Sequence, residues 1–198
     1  MYPFVETIRW TQGQALRLPY HEQRLNATRQ HFWPGCSWID LGACLDEAPG
    51  KCEGKCRVVY DGEGIREITF APYALRQVRS LRLLEVGDLD YTYKSTDRRA
   101  LNRCWEQRGT ADDVLLVRHG WLTDTSIANI ALFDGYAWYT PANPLLKGTH
   151  RAALLDAHLL CEKEIRADEL SAYSRVRLFN AMIDWGALEI PVEALQKF

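Results

Sequence analysis

The sequence has no long apolar run and no marked excess of charge of either sign. No stretch approaches the roughly 18 apolar residues that a transmembrane helix needs, so we expect no membrane partner. Residues 1–6 lack the basic and then apolar order of a signal peptide, which favours a cytoplasmic protein. The formal net charge of −2 and the pI near 6.2 give no global electrostatic reason to expect nucleic acid as a partner. This composition favours a small molecule or another protein.

The cysteines predict neither disulfides nor a metal site. All six are placed at positions 36, 44, 52, 56, 104 and 161. A disulfide framework is typical of secreted chains, and the sequence shows no secretion signal. Cys52 and Cys56 have the spacing of half a zinc site, but no second closely spaced pair of Cys or His follows to complete four ligands. We therefore expect reduced thiols at loop and core positions and no bound metal.

A chain of 198 residues with 47% hydrophobic content can bury a sizeable core, in one large domain or in two compact lobes. In its first part, alternating apolar residues predict strands, and apolar residues at helical spacing predict helices. The predicted elements are strands at 2–10, 15–18, 57–60, 68–70 and 81–86, with helices at 21–33 and 37–46. This mixture predicts a small α/β lobe over residues 1–86.

The second part of the chain, residues 87–198, again mixes helices and strands. Predicted helices span 97–108 and 149–162, and predicted strands lie at 114–117, 130–133, 137–139 and 176–179. Gly109 is typical of the end of the first of these helices. The predicted fold class is α/β (α+β), with a larger second lobe.

Lys94 is the candidate for amine chemistry. It lies in the segment Tyr91–Asp97, between a strand region and a helix, where aromatic neighbours could desolvate its amine. Only six lysines are present, which narrows the choice. A solvated surface lysine is the alternative that the sequence leaves open.

Asp124 is a carboxylate in an otherwise apolar hairpin strand that begins at Gly120. A buried carboxylate is costly without a partner, and a protonated pyridine nitrogen would be such a partner. A turn aspartate that bonds to the backbone of Thr125 or Ser126 is the alternative.

The segment Gly148–His150 directly precedes a helix rich in Ala and Leu. Its backbone N–H groups could hold a phosphate at the positive end of that helix. Thr149 as an ordinary N-cap explains the segment equally well.

The order and spacing of these segments resemble the aminotransferase class IV family. These fold type IV pyridoxal phosphate enzymes include branched-chain and D-amino acid aminotransferases and aminodeoxychorismate lyase. The likeness runs from Phe4–Arg9 through His21–Leu25 to Asn180–Met182. It implies two lobes, a smaller α/β sandwich and a larger pseudo-barrel, with pyridoxal 5'-phosphate in the cleft between them. It also implies a homodimer that acts in amino acid metabolism.

The resemblance assigns roles residue by residue. Lys94 matches the Schiff-base lysine, and Arg24, three residues after His21, matches the phosphate-binding arginine; a solvated helix residue is the alternative for Arg24. Asp124 falls where the family usually has a glutamate that contacts the pyridine nitrogen, and Asn129 matches the asparagine five residues on. The shorter aspartate implies either a closer cofactor or a weaker or water-mediated contact.

Further cofactor contacts are implied around the ring and the phosphate. Leu146 matches a residue that packs against the ring, and an ordinary core leucine is the alternative. The residues implied around the phosphate are Gly148, Thr149, His150, Asn180 and Ala181. The segment Asn180–Met182 is closer to the lyase branch than to the threonine-containing transaminase versions.

The leading functional interpretation is a pyridoxal-phosphate-dependent aminotransferase that acts on an amino acid or related primary amine through Lys94, because transamination is the family's commonest activity. Aminodeoxychorismate lyase chemistry is the alternative that Asn180–Met182 favours. A lyase releases pyruvate without an amino acceptor, whereas a transaminase stalls when no acceptor is present. A second alternative is a protein that keeps the fold and has lost catalysis, serving as a cofactor-binding or interaction module.

Overall fold

The computed structural model describes residues 3–48 and 50–196 of the chain. The chain divides into two compact units. The first comprises Met1–Leu75 and Tyr93–Asp97, and the second comprises Arg76–Thr92 and Arg98–Phe198.

This division differs from the predicted boundary after residue 86. Strand Leu81–Glu85 pairs in parallel with Asp113–Arg118, which places it in the second unit. The segment Tyr93–Asp97 returns to the first unit because its main chain bonds to the first strand, where the amide of Val5 donates to the carbonyl of Lys94 at 2.9 Å. Strand pairing with residues distant in sequence therefore decides both boundaries.

The first unit combines an antiparallel sheet with two helices. Its elements are β1 (Phe4–Thr11), β2 (Gln14–Ala15), α1 (Leu18–Phe32), α2 (Leu41–Glu47), β3 (Gly54–Asp61) and β4 (Gly64–Ala71). Among the described residues the sheet order is β2-β1-β3-β4. Alternate residues of a strand share one face, so Phe4, Ile8 and Trp10 of β1 lie together in a buried cluster with Leu25 and Tyr60. This cluster is the core of the unit.

The second unit is built around a larger sheet. Its elements are β5 (Leu81–Glu85), α3 (Arg99–Glu106), β6 (Asp113–Arg118), β7 (Trp121–Thr125), β8 (Asn129–Phe133), β9 (Trp138–Pro141), α4 (Thr149–Asp156), β10 (Cys161–Lys163), β11 (Arg175–Asn180), β12 (Ile183–Pro191) and β13 (Leu195–Gln196). In the described part of the chain the order is β10-β9-β8-β7-β6-β5-β13, and β11 pairs with both β8 and β12. The predicted α/β fold class is confirmed.

The last predicted helix is shorter than its sequence pattern indicated. Helix α4 ends at Asp156 instead of continuing to residue 162. The chain turns at His158, whose φ of 54° is left-handed, and the amide of Leu159 closes the turn on the carbonyl of Leu154 at 3.0 Å. The residues after the turn form β10, which pairs in parallel with β9. In the described ranges, no helix has both the length and the apolar character needed to cross a membrane.

Candidate active site

Asp124 and Asn129 face each other across the hairpin of β7 and β8. The side-chain amide of Asn129 donates to Oδ1 of Asp124 at 2.7 Å and to the carbonyl of Leu146 at 2.9 Å. The amide of Leu146 in turn donates to Oδ2 of Asp124 at 2.8 Å. These three hydrogen bonds form a closed ring that joins the hairpin to the loop before α4.

The turn between these two strands is held by Thr125 rather than by Asp124. Oγ1 of Thr125 accepts from the amide of Ala128 at 3.0 Å and from the amide of Ile127 at 3.3 Å. The carboxylate of Asp124 bonds instead to Asn129 and Leu146. The role of a simple turn aspartate, left open by the sequence, does not describe Asp124.

The environment of Asp124 disfavours its charge. The residue is 5% exposed, and burial raises the pKa of its carboxyl to about 6, although hydrogen bonds from Leu146 and Asn129 and the charge of Arg151 act in the opposite direction. The carboxylate is therefore only partly compensated by its surroundings. A cationic N–H group would supply the missing compensation.

Helix α4 begins beside this ring of hydrogen bonds. Gly148 is the N-cap residue, in an extended conformation with no side-chain cap, so the alternative of Thr149 as the N-cap is excluded. An ideal Cβ at position 148 would lie 2.1 Å from Oδ1 of Asn129, so only glycine fits there without a shift. The two residues that follow, Thr149 and His150, are both buried. The first amides of this helix are the anion-attracting end of its dipole.

His150 links the start of α4 to the turn between β11 and β12. Its Nδ1 lies 2.8 Å from the carbonyl of Asn180 and 3.2 Å from that of Ile183. Both partners are acceptors, so Nδ1 carries the proton. The side chain of Asn180 donates to the carbonyl of Ile127 at 3.0 Å, in the hairpin turn after Asp124. Ala181 follows Asn180 in the same turn.

Eight of the ten sequence-predicted site residues thus lie in the second unit, and hydrogen bonds connect the segments that carry them. Leu146 is partly buried and packs against the apolar cluster that includes Leu145, Tyr91 and Val114, as a core leucine would. Its predicted contact with a cofactor ring stays a prediction.

Lys94 and Arg24 lie in the first unit, and both are attached to β1. The carbonyl of Lys94 accepts from the amide of Val5 at 2.9 Å. The guanidinium of Arg24 donates from Nε to Oε1 of Glu6 at 2.9 Å and from Nη2 to Oε2 of Glu6 at 2.6 Å. Arg24 is therefore a paired and largely buried residue, with a side chain 17% exposed, rather than a solvated helix residue.

Glu6 and the buried His21 were not singled out as site residues from the sequence. Glu6 has the same parity in β1 as Phe4 and Ile8, so it faces the core, and its side chain is fully buried. A glutamate on the apolar face of a strand is the signal that could have found it, because a buried charge requires a partner.

The network of the second unit fits pyridoxal phosphate by its chemistry. A partly compensated, buried carboxylate at Asp124 suits the N–H of a protonated pyridine ring. The amides that begin α4 suit a phosphate.

Within residues 3–48 and 50–196, no group of three or more His, Cys, Asp and Glu side chains is arranged to hold a metal ion.

Comparisons with known proteins show the family to which the chain belongs. A family model described as amino-transferase class IV matches residues 4–189. A solved structure from Haemophilus somnus 129pt, provisionally named a 4-amino-4-deoxychorismate lyase, is similar with a TM-score of 0.85 and 32% identity, over 92% of this chain and 97% of that one. An uncharacterised protein of Haemophilus influenzae is 28% identical over 186 residues, which are 92% of this chain and 98% of its own length.

A third relative, from Schizosaccharomyces pombe, is provisionally named an aminodeoxychorismate lyase. It is 29% identical over 188 residues, which are 85% of this chain and 81% of its own length. The resemblance inferred from the sequence is confirmed: the chain belongs to the aminotransferase class IV family and has the fold type IV architecture of pyridoxal-phosphate enzymes.

Proposed function

We propose that this protein is a pyridoxal-phosphate enzyme that acts on a primary amino group, with Lys94 as the residue to which the cofactor attaches. The observation that carries the proposal is the ring of hydrogen bonds that joins Asp124, Asn129 and Leu146 beside the start of α4. It offers a carboxylate suited to a pyridinium N–H next to amides suited to a phosphate. Bound pyridoxal phosphate supplies an electron sink for charge that develops on the substrate carbon next to the amine.

The chain's own residues would then divide the work. Asp124 would keep a proton on the ring nitrogen, because a buried carboxylate favours a cationic partner. The ε-amine of Lys94 removes a proton from the α-carbon of the substrate and returns one, as general base and acid. Leu146 would pack against the ring. The phosphate would be held by Arg24, Gly148, Thr149, His150, Asn180 and Ala181.

In this proposal the lyase reaction comes first, and transamination, which the sequence interpretation favoured, comes second. Two relatives, at 32% and 29% identity, are provisionally named lyases that act on aminodeoxychorismate. Transamination is supported by the description of the family as a whole. We also propose that the protein is a homodimer, which predicts a mass in solution about twice the 22.8 kDa of the chain, measurable by light scattering.

The attachment of the cofactor is tested by absorbance. The purified protein is incubated with pyridoxal phosphate, reduced with borohydride, and mapped by mass spectrometry. A near-visible band that reduction removes and a label confined to Lys94 support the proposal. Lys163→Arg, which changes an exposed lysine beside Tyr139 and Tyr173, is the matched control and should keep both signals. If no band forms, or if the label is scattered over surface lysines, the non-catalytic alternative replaces the proposal.

The reaction is tested by its dependence on a keto acid. With 4-amino-4-deoxychorismate and no added keto acid, a lyase releases pyruvate over many turnovers. A transaminase given an amino acid stops after one turnover per site until a keto acid is added. The absence of pyruvate release from 4-amino-4-deoxychorismate would rule out the lyase, and Lys94→Ala should abolish either activity.

A further inference from the structure

Glu6 is a fully buried carboxylate that receives three donors. Its Oε1 accepts from Nε of Arg24 at 2.9 Å, and its Oε2 accepts from Nη2 of Arg24 at 2.6 Å. Nδ1 of His21 lies 2.6 Å from the same Oε2, so in a neutral imidazole this nitrogen carries the proton. Glu6 and His21 are both 0% exposed. Solvent therefore does not reach Glu6 or His21.

The pairing of Glu6 and Arg24 fixes the direction of the guanidinium. Two parallel hydrogen bonds between a planar guanidinium and a planar carboxylate hold both groups in one plane, which a single contact does not. His21 precedes Arg24 by three residues on α1, so both donors approach Glu6 from the same face of the helix. The strand and the helix are thereby joined at the one charged position on the core face of β1.

The carboxylate keeps its charge in this environment. Burial alone would raise the pKa of Glu6, but the charge of Arg24 and the hydrogen bond from His21 outweigh it and lower the pKa to about 2. Burial instead lowers the pKa of His21, which favours the neutral imidazole as the second donor. The cluster therefore consists of one carboxylate, one guanidinium and one neutral ring at neutral pH.

We infer that Glu6 is a positioning residue that aims the guanidinium of Arg24 at the phosphate of the cofactor, and that His21 holds Glu6 in place for this task. The inference rests on the proposed function, in which Arg24 receives the phosphate. Pre-orientation matters because an arginine that is already fixed loses less rotamer freedom when it binds an anion.

The test compares the affinity of the protein for pyridoxal phosphate with its affinity for pyridoxal, which lacks the phosphate. Glu6→Gln keeps the shape of the side chain but replaces one of the two acceptor oxygens by an NH2 group. The donors from Arg24 and His21 then meet only one acceptor oxygen, and the NH2 group repels the others. We expect the preference of the wild type for the phosphorylated ligand to fall at least tenfold, while the affinity for pyridoxal stays unchanged. The matched control is Glu67→Gln, on strand β4 of the same sheet, because Glu67 pairs with Arg57 at 3.3 Å in a partly exposed contact outside the proposed cofactor contacts.

The two ligands bind the same folded population, so a fall in both affinities by the same factor would mean that Glu6 supports the fold and not the phosphate contact, and it would overturn the inference. An unchanged or increased preference in Glu6→Gln would also overturn it. A wild type that binds pyridoxal phosphate no better than pyridoxal would remove the proposed role of Arg24 and the inference with it. If the wild type prefers pyridoxal phosphate to pyridoxal and Glu6→Gln keeps that preference, the inference is refuted while the proposed role of Arg24 stands.

A measurement on the wild type covers the case in which Glu6→Gln does not fold. The Nε–H proton of Arg24 is followed by NMR while inorganic phosphate is added. Slow solvent exchange of this proton, unchanged at saturating phosphate, is expected if Glu6 holds that edge of the guanidinium throughout. Rapid exchange, or a phosphate that displaces Glu6 from Nε, would contradict a positioning role.

Discussion

The amide of Leu146 donates a hydrogen bond of 2.8 Å to Oδ2 of Asp124, a residue 22 positions earlier in the chain. This contact joins the loop before α4 to the hairpin of β7 and β8. It occupies one carboxylate oxygen, and Asn129 occupies the other at 2.7 Å. The carboxylate is thus held rigidly without being neutralised, because both partners are uncharged donors.

The stability of the cofactor-free protein should depend on the protonation of Asp124. Its pKa is raised from 3.8 to about 6 in the folded protein. Its contribution to the unfolding free energy is therefore fully present below pH 3.8 and is lost as the pH rises through 6. Relative to Asp124→Asn, the wild type should lose about 2 kcal/mol of unfolding free energy between pH 4 and pH 7. Urea titrations over this range provide the measurement.

The control for this prediction is Asp88→Asn, because the side chain of Asp88 is 96% exposed. We expect the unfolding free energy of this variant to stay close to that of the wild type, because the contact of Asp88 with His119 is exposed and contributes little. A difference in unfolding free energy between the wild type and Asp124→Asn that stays constant with pH would contradict the raised pKa of Asp124.

Gly148→Ala should destabilise the protein through a single contact. The new Cβ would lie 2.1 Å from Oδ1 of Asn129, so the amide must move and both of its hydrogen bonds are disturbed. We expect a loss of about 1–3 kcal/mol, measured by thermal unfolding, and weaker binding of pyridoxal phosphate. In the control Gly42→Ala, the atom nearest to the new Cβ would lie 3.3 Å away, so the unfolding free energy should change little. Equal effects of the two changes would contradict this account.

Thr125→Val should loosen the turn between β7 and β8. The change keeps the shape of the side chain and removes the oxygen that accepts from the amides of Ile127 and Ala128. Leaving these donors without that acceptor should cost about 1–3 kcal/mol in unfolding free energy, measured in urea. Thr69→Val, at an exposed position of β4, is the control and should be nearly neutral. A neutral Thr125→Val would mean that the turn does not depend on this hydroxyl.

Glu6→Gln should also change the acid sensitivity of the protein. Because the pKa of Glu6 is lowered from 4.5 to about 2, its contribution is present above pH 4.5 and is lost as the pH falls towards 2. The wild type should exceed the variant by about 3 kcal/mol at pH 7, and this gap should narrow between pH 4.5 and pH 2. Denaturant unfolding at a series of pH values measures the gap. A gap that does not narrow in acid would indicate that lost packing, not lost charge, explains the variant.

Much of the local structure could be predicted from the sequence. The alternation in β1 and β3 and the apolar spacing in α1 appear as predicted, because each pattern repeats within one short segment. The end of α4 was misjudged, because Ala and Leu favour helix up to residue 162 while the chain turns at His158 and then pairs with β9. Pairing between distant segments outweighed local propensity there.

The sequence by itself determined the family and the identity of the candidate residues, since Lys94, Asp124 and Gly148 stand in a recognisable order. Tertiary structure alone decided which atoms meet. The partners of Asp124 come from positions 5 and 22 residues away, and Arg24 bonds to Glu6 at a separation of 18 residues. Buried charges acquire their pKa values and their orientation from such long-range contacts, because it is folding that removes water and brings the donors to the carboxylate.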